Sequence, residues 1–331
     1  MCKRVALFLM LIFMTALPIA EEVKSYEDLV TKPVAERQVM PAAQWGLVGD
    51  GLEGVTNSNS PHAGVLVNTG TIEPLEFRQN VIIPIDEWGY LFVIFLVVIF
   101  FVINGAVKIE AGFSGVKILR WPVSSRIIHW GLAASFLILA LTGLSIMIGR
   151  YVIRPYLSPE TWGSYMQFCD LSHNFTAPFF VIFWSLAIVK WMHHQFPKKH
   201  DWEWIKSAGG FINFKGRKAV HPPAGFSNAG EKILYWFILV AGVGIITSGV
   251  ILLFQNLDPT RDFTVIALIV HGLFALTLMI LIIGHVSMAV FLVEGGFETM
   301  QTGYCDENWA KQHHNLWYDE LVEKDEIKYK S

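Results

Sequence analysis

A chain of 331 residues with 53% hydrophobic and only 16% charged side chains has fewer charges than ordinary soluble proteins, which carry about 25%. This composition excludes an ordinary soluble globular fold and indicates an integral membrane protein. The net charge of −3 identifies no partner, and no binding to nucleic acid is expected. The three cysteines lie far apart and fit neither a zinc site nor an iron–sulfur cluster, which needs about four thiolates, so we interpret them as small apolar residues.

The amino-terminal residues predict an exported chain. Residues 1–20 have a short basic start, an apolar run and small residues before Glu21 and Glu22, which is typical of a cleavable signal peptide. An uncleaved anchor fits the same residues. Residues 21–84 are polar and contain scattered glycine and proline, so we expect a small, poorly structured segment outside the cytoplasm.

Five apolar segments follow, each of about the 20 residues or more that a membrane-spanning helix needs. An extra span in residues 85–107 precedes a core of four spans in residues 108–293, and residues 294–331 form a tail. The expected spans are residues 88–107, 127–149, 173–192, 233–254 and 263–293. The sequence therefore predicts an all-α integral membrane protein.

The basic residues predict the orientation of these spans. Most lysines and arginines between the spans fall in residues 108–126 and 193–232, and few fall in residues 150–172 and 255–262. The positive-inside rule places the basic segments in the cytoplasm, which suggests the inner (plasma) membrane of a bacterium. Residues 21–84 are then periplasmic, and the tail is cytoplasmic.

Four histidines lie within the expected spans, away from their basic margins. His271 and His285 share the last span, and their spacing advances the helix by about 21 Å and returns to about the same face. His173 opens the third span from its outer end, and His129 lies near the inner end of the second. Depth therefore pairs His173 with His271 and His129 with His285.

Two imidazoles at matching depth on different helices are what a six-coordinate haem b requires, because neutral imidazole is a good iron ligand. We therefore predict that the four histidines bind the iron atoms of two haems. Gly143 lies on the face of His129 at the depth of the outer pair, and Gly242, Gly244 and Gly249 provide further space. The alternative is that the histidines form hydrogen bonds between helices and that the glycines serve close helix packing.

A set of short sequence motifs occurs in order between residues 112 and 320. These motifs are ILRWPVSSRIIHW at 118–130, LTGL at 141–144, SHNF at 172–175, SNAGEKILYW at 227–236, IVHG at 269–272, GHVSMA at 284–289 and EGGFETMQTGYCDENWAKQHHNLW at 294–317. In these motifs the chain resembles the cytochrome b (gamma) subunit of membrane-bound respiratory formate dehydrogenases. The signal-like start, residues 21–84 and the extra span have no counterpart in the shorter members of that family.

The resemblance implies a four-helix haem-binding bundle with two haems b, preceded here by the signal-like segment and the extra transmembrane helix. It assigns His173 and His271 to the outer haem, and His129 and His285 to the inner haem. It also places a quinone beside the inner haem, near Asn228, Gly230 and His285. The last assignment comes from the resemblance alone.

The function that the resemblance implies is electron transfer within a complex that the chain anchors in the membrane. Formate would be oxidised on a separate molybdenum or tungsten subunit, and an iron–sulfur subunit would pass the electrons to the outer haem. They would cross to the inner haem and reduce a membrane quinone in anaerobic respiration. The chain would thus be the quinone-reducing subunit of an enzyme and would not itself oxidise formate.

Several alternatives fit the same residues. The partner of a di-haem cytochrome b could instead be a hydrogenase or a thiosulfate or polysulfide reductase, and a haem-free membrane anchor is an alternative of another class. Arg120, Arg126 and Lys232 could pair with haem propionates, or could simply be positive-inside charges. The tail could cap the inner face, contact the iron–sulfur subunit, or be a solvated amphipathic end.

Overall fold

The computed structural model describes residues 72–212, 221–254 and 260–329. The expected signal peptide, residues 1–20, and most of the expected polar segment lie outside the described residues. Within them the chain is mostly helical, and five helices are long and apolar enough to cross a membrane. The chain is thus a multi-pass membrane protein.

The elements are numbered here in chain order. The helices are α1 (Ile72–Phe77), α2 (Ile83–Asn104), α3 (Val123–Val152), α4 (Pro159–Trp191), α5 (Asp201–Lys206), α6 (Ala229–Leu253), α7 (Arg261–Ser287), α8 (Gly296–Thr302), α9 (Glu307–His313) and α10 (Asn315–Glu323). The two strands are β1 (Lys117–Leu119) and β2 (Tyr304–Asp306). Short π-helical segments, Arg78–Ile82 and Met288–Leu292, join α1 to α2 and extend α7.

The first membrane span begins earlier than the sequence indicates. Helical structure starts at Ile72 and continues through the π-helical segment into α2, so that the candidate span is Pro74–Asn104. Polar residues between positions 76 and 80 interrupt the apolar pattern, and for this reason hydropathy placed the start of the span near residue 88. The helix ends at Gly105, whose φ of 71° is accessible to glycine without strain.

This extra span packs against the core at both of its ends. Near its start, the buried side chain of Ile82 packs against α7, where a Cβ on Gly272 would lie 3.8 Å from Ile82 Cγ2. At its other end Asn104 Nδ2 donates a hydrogen bond of 2.8 Å to the carbonyl of Phe211. The backbone of Val107 then continues the attachment, since its N–H donates to Leu292 O at 2.7 Å.

The four remaining spans form two helical hairpins, α3 with α4 and α6 with α7. Aromatic side chains fill the spaces that glycines leave between them. A Cβ on Gly242 would lie 2.1 Å from Trp184 Nε1, and a Cβ on Gly244 would lie 2.1 Å from Phe274 Cε2. These two glycines therefore serve helix packing, which is the alternative that the sequence left open. Trp184 also donates a hydrogen bond of 3.0 Å to Ile238 O, which joins α4 to α6.

The tail folds over one end of the helices, and we call residues 294–329 the tail cap. Strand β2 of the tail cap pairs antiparallel with β1, with Ile118 opposite Cys305, and both of these side chains are fully buried. Trp309 and Trp317 are buried with them in one hydrophobic cluster. The tail is therefore a packed part of the fold and not a solvated end.

Candidate functional site

The four intramembrane histidines meet in the two pairs that their depth predicts. His173 of α4 faces His271 of α7, with ring centres 6.3 Å apart and ring planes at 64°. His129 of α3 faces His285 of α7, with ring centres again 6.3 Å apart and ring planes at 56°. Helix α7 thus contributes one histidine to each pair, and all four side chains are partly buried.

The separation within each pair fits two imidazoles on opposite sides of one metal ion. Imidazole nitrogen binds a first-row metal at about 2 Å. A five-membered ring with bonds of about 1.33 Å has its centre roughly 1.1 Å from each nitrogen. Two such rings across one metal therefore have centres roughly 6.3 Å apart. Both pairs match this distance, and no hydrogen bond joins the two rings of either pair among the described residues.

The number of protein ligands favours haem over a bare metal ion. The described part of the chain contains no group of three or more His, Cys, Asp or Glu side chains that could hold a metal ion. A structural zinc site takes four protein ligands and a catalytic site three. A haem supplies the equatorial ligands itself and needs only axial side chains from the protein. The residues present therefore fit a haem at each pair.

We call His173 and His271 the outer pair, and His129 and His285 the inner pair, after the depths that the sequence predicts. Both histidines of the outer pair are held by hydroxyl groups of the neighbouring helix in the same hairpin. His173 Nδ1 lies 2.9 Å from Thr142 Oγ1 of α3. His271 Nδ1 lies 3.1 Å from Ser248 Oγ of α6 and 3.1 Å from the carbonyl oxygen of Ile245. Hydrogen bonds between helices, the alternative reading of the histidines, therefore do exist here. They occupy Nδ1, so that Nε2 of each ring is left for another partner.

Two glycines leave room for the imidazole rings of His173 and His271. A Cβ on Gly143 would lie 3.1 Å from His173 Cε1, and a Cβ on Gly249 would lie 3.2 Å from His271 Cε1. Contacts this short would push each ring away from the neighbouring helix. Gly143 and Gly249 are therefore the glycines of the predicted set that face the histidine site, whereas Gly242 and Gly244 do not.

The inner pair lacks a comparable support at His129. The Nδ1 atom of His129 is buried and has no hydrogen-bond partner within the described ranges. A buried polar atom without a partner is rare and calls for an unseen ligand or water. The ring of Trp130 packs edge-on against His129, with centres 5.2 Å apart.

The residues that the resemblance assigns to a quinone site have structural roles at the start of α6. Asn228 caps this helix in a capping box, in which Asn228 Oδ1 accepts from Glu231 N and Glu231 Oε2 accepts from Asn228 N. Gly230 lies under Trp204, because a Cβ there would be 2.6 Å from the indole ring. Among the described residues, no hydrogen bond or ring contact joins Asn228 or Gly230 to His285.

Two of the three basic residues considered for haem propionates have other partners. Lys232 Nζ lies 2.8 and 2.7 Å from the two carboxylate oxygens of Asp201 in a buried ion pair. Arg120 is 5% exposed, donates to Phe226 O at 2.8 Å and lies 3.5 Å from Glu231 Oε1. Burial lowers the pKa of Arg120 below its ordinary value, and Glu231 opposes this shift.

Aromatic rings and Arg126 complete this end of the fold. The Arg120 guanidinium lies 4.9–5.7 Å from four ring centres, a distance at which cations are stabilised by ring faces. These rings belong to Trp121, Phe226, Trp309 and Trp317. Arg126 has one donor that is bonded and one that is not. Its Nη1 donates to Gln301 O at 3.0 Å, but its buried Nε has no hydrogen-bond partner in the described structure.

The sequence interpretation missed Thr142 and Ser248, the hydroxyl partners of the outer histidines. The sequence does contain a feature that marks these two residues, because each is followed by one of the two glycines that lie against a histidine ring. The same hydroxyl–glycine step therefore occurs in α3 and in α6, at Thr142–Gly143 and Ser248–Gly249.

Comparison with known proteins gives one family and a group of similar subunits. The family model described as prokaryotic cytochrome b561 matches residues 120–303, which is more than half of the chain. A formate dehydrogenase cytochrome b556 subunit of Haemophilus influenzae is 31% identical over 218 residues, which cover 65% of this chain and 87% of that protein.

Two subunits of Escherichia coli K12 give similar matches. The cytochrome b556(Fdn) subunit of nitrate-inducible formate dehydrogenase is 29% identical over 217 residues, which cover 65% of this chain and 95% of that protein. The cytochrome b556(fdo) subunit of a formate dehydrogenase is 26% identical over 218 residues, which cover 64% of this chain and 96% of that protein. The chain described here thus contains nearly the full length of these subunits and a further part of its own.

Proposed function

Because the chain belongs to the prokaryotic cytochrome b561 family, we propose that it is the di-haem cytochrome b subunit of a membrane-bound formate dehydrogenase. The observation that carries this proposal is the repeated geometry of the histidines, two pairs with ring centres 6.3 Å apart. His173 and His271 would hold one haem b, and His129 and His285 would hold the other. Helices α3, α4, α6 and α7 would form the four-helix haem-binding bundle.

Bound haem supplies one-electron chemistry, because its iron alternates between the ferric and ferrous states. The chain contributes the positions of the two sites, the surrounding apolar helices and the attachment to the membrane. Helix α7 connects the sites, since it supplies His271 to one pair and His285 to the other. The chain itself would not oxidise formate.

The donor complex is inferred from the similar subunits, which are named for formate dehydrogenases. The partners would be a catalytic subunit that contains molybdenum or tungsten and an iron–sulfur subunit that passes electrons to the outer pair. A hydrogenase or a thiosulfate or polysulfide reductase remains the second candidate for the partner, because the two histidine pairs would serve any such donor equally.

A membrane quinone would be the electron acceptor. Its site would lie beside the inner pair, near His285 and the start of α6 at Asn228 and Gly230. The buried Nδ1 of His129 without a partner supports an additional ligand or water in this region. The capping role of Asn228 and the contact of Gly230 with Trp204 mean that these two residues would shape the site through the backbone.

The charge distribution supports an orientation in the inner membrane of a bacterium. The basic segments 108–126 and 193–232 would face the cytoplasm, together with the tail cap. A signal peptide at residues 1–20 would send the polar segment that follows it into the periplasm, and the helix Pro74–Asn104 would form the extra span that returns the chain to the cytoplasm. The core would then comprise residues 108–293 and the tail residues 294–331.

Spectroscopy of the chain purified with its natural partners tests the proposal. A haemochrome assay should give two haems b per chain, and the reduced spectrum should show the sharp bands of bis-histidine haem. Formate should reduce both haems, and an added quinone should reoxidise them. A colourless preparation would leave only the haem-free anchor, whereas reduction by hydrogen but not by formate would move the assignment to a hydrogenase.

A further inference from the structure

Thr142 and Ser248 occupy equivalent positions in the two helical hairpins of the core. Thr142 lies on α3 and contacts His173 of α4, while Ser248 lies on α6 and contacts His271 of α7. Both hydroxyl residues are buried, at 7% and 2% exposure. In each hairpin the first helix thus supplies a hydroxyl group to the histidine of the second.

The other hydrogen bond of each hydroxyl group indicates whether the imidazole Nδ1 donates or accepts. Thr142 Oγ1 donates its proton to Ile138 O at 2.7 Å, and Ser248 Oγ donates to Gly244 O at 2.7 Å. A hydroxyl group has a single proton, so an oxygen that donates to a carbonyl of its own helix can only accept from the imidazole. The carbonyl of Ile245, 3.1 Å from His271 Nδ1, is also an acceptor only. With these hydrogen bonds in place, both rings carry their proton on Nδ1.

A ring that is protonated on Nδ1 presents a free electron pair on Nε2. That nitrogen is the atom available for iron, and it points away from the supporting helix. The two imidazole rings have similar orientations relative to the adjacent glycines. At both Gly143 and Gly249, the Cε1 atom is the part of the histidine ring that lies closest to the glycine. Residues that orient a ligating histidine in this way also raise its basicity.

His129 of the inner pair has no such hydroxyl group, because its buried Nδ1 has no protein partner among the described residues. A more basic axial ligand stabilises the ferric state and lowers the reduction potential, and second-shell hydrogen bonds are one of the ways in which proteins set that potential. The two pairs therefore differ in the protein groups that support their histidines, and such groups are among those that set the potential.

We infer that Thr142 and Ser248 are positioning residues that fix the tautomer of His173 and His271 and hold the outer haem at a lower potential than the inner haem. This inference rests on the proposed function, since it needs a haem at each pair. An electron that enters at the outer pair would then pass to the inner pair in the favourable direction.

Redox titration of the purified complex, followed through the haem absorbance, tests the inference. The outer haem is identified as the transition that is absent in His271→Ala. In the unmodified complex this transition should be the one of lower potential. In Thr142→Val it should move to higher potential while the inner transition is unchanged. The shift should be smaller in Ser248→Ala, because Ile245 O still accepts from His271.

Two matched variants separate the hydrogen bond from simple packing. Thr142→Ser keeps the hydroxyl group and should behave as the unmodified protein. Ser135→Ala removes another buried hydroxyl of α3, which bonds to Gly131 O at 2.8 Å and to no histidine of the described residues, and it should shift neither transition. If Thr142→Val releases the outer haem and Thr142→Ser retains it, the positioning role is supported.

Three outcomes would overturn the inference while the proposed function stands. These are an outer potential above the inner one, an unchanged outer transition in both Thr142→Val and Ser248→Ala, and an equal effect of Ser135→Ala. The absence of haem from the unmodified complex is a different result, because it would refute the proposed function itself.

Discussion

His271 and His285 lie on one helix, α7, and each faces a histidine of a different partner helix at the same ring separation of 6.3 Å. The spacing between them is close to four whole helical turns, so that they share one face of α7. Each pair is completed by a separate helix, α4 for His173 and α3 for His129. The two sites should therefore be separable by mutation.

We expect His271→Ala to reduce the haem content from two per chain to one. Under the proposed function the outer haem would lose one of its two histidine ligands, whereas His129 and His285 would still hold the inner haem. A haemochrome assay on the purified complex measures the content, and donor-driven reduction of the remaining haem should be blocked. The exposed His193 provides the control, since His193→Ala should retain two haems. Two haems in His271→Ala would refute the ligand assignment.

The histidine pairs could be predicted from the sequence because they depend only on helix geometry. Rise and turn per residue fix the depth and face of each side chain within an uninterrupted span. His129, His173, His271 and His285 all lie in such spans, and the structure pairs them as expected. The partner hydroxyls could not be assigned in the same way. Serine and threonine in helices usually bond to their own backbone, as Ser135 does, and only the packing shows that Thr142 also reaches a histidine.

The tail cap could not be predicted because its contacts join distant parts of the chain. Ile118 pairs with Cys305 across the sheet, and Arg120 lies between aromatic rings from three separate segments. Neither the two short strands nor the tail has an apolar pattern long enough to indicate burial. The early start of the first span, at Pro74, was missed for a local reason, because polar residues conceal the continuation of the helix.

We expect Asp201→Ala to lower the free energy of unfolding by about 3–5 kcal/mol, because it leaves Lys232 as a buried charge without its partner. The side chains are 11% and 6% exposed, and Asp201 also accepts from the backbone of Lys198 at 2.6 Å. Unfolding of the detergent-solubilised protein by heat or denaturant measures the change. Lys324→Ala breaks an exposed ion pair with Glu320 and should leave the unfolding midpoint unchanged. Equal effects of the two variants would contradict this interpretation.

We expect Gly242→Ala to destabilise the contact between α4 and α6 by about 1–3 kcal/mol, as overpacking of a filled interface does. The new Cβ would lie 2.1 Å from Trp184 Nε1, so that the indole ring and its hydrogen bond to Ile238 O must shift. Gly163→Ala is the matched control, because Gly163 is also within a long helix and no atom of the described residues, apart from its chain neighbours and its own helix backbone, lies within 4 Å of the added Cβ. There alanine should be neutral or stabilising by up to about 1 kcal/mol. The same unfolding assay compares the two, and a neutral Gly242→Ala would mean that α4 and α6 are not in close contact here.

The tail cap should become less stable as the pH falls below about 6.5. Burial is the main cause that lowers the pKa of His313 to about 3, and His221 and Arg120 act in the same direction. Burial and then Arg120 hold the pKa of His314 well below its ordinary value, although its hydrogen bond with Gly225 O opposes them. Histidine in an unfolded chain titrates at about 6.5. Below that pH the unfolded tail binds protons that the folded tail cap excludes, and this favours unfolding.

The free energy of unfolding should therefore be nearly constant above about pH 6.5 and fall by about 1.4 kcal/mol per histidine for each pH unit below it, down to the pKa of the folded state. Hydrogen exchange of residues 294–329, measured between pH 7.5 and 5.5 and corrected for the intrinsic rate, follows the loss. The double variant His313→Gln, His314→Gln should remove most of this dependence.

Asp306 gives the internal comparison: burial alone would raise its pKa, but hydrogen bonds from Ser114 and Asn308 outweigh this and lower it. Its protonation therefore begins to matter only below about pH 3.9, the ordinary value for aspartate. A dependence that the double variant retains in full between pH 7.5 and 5.5 would have to come from groups other than these two histidines.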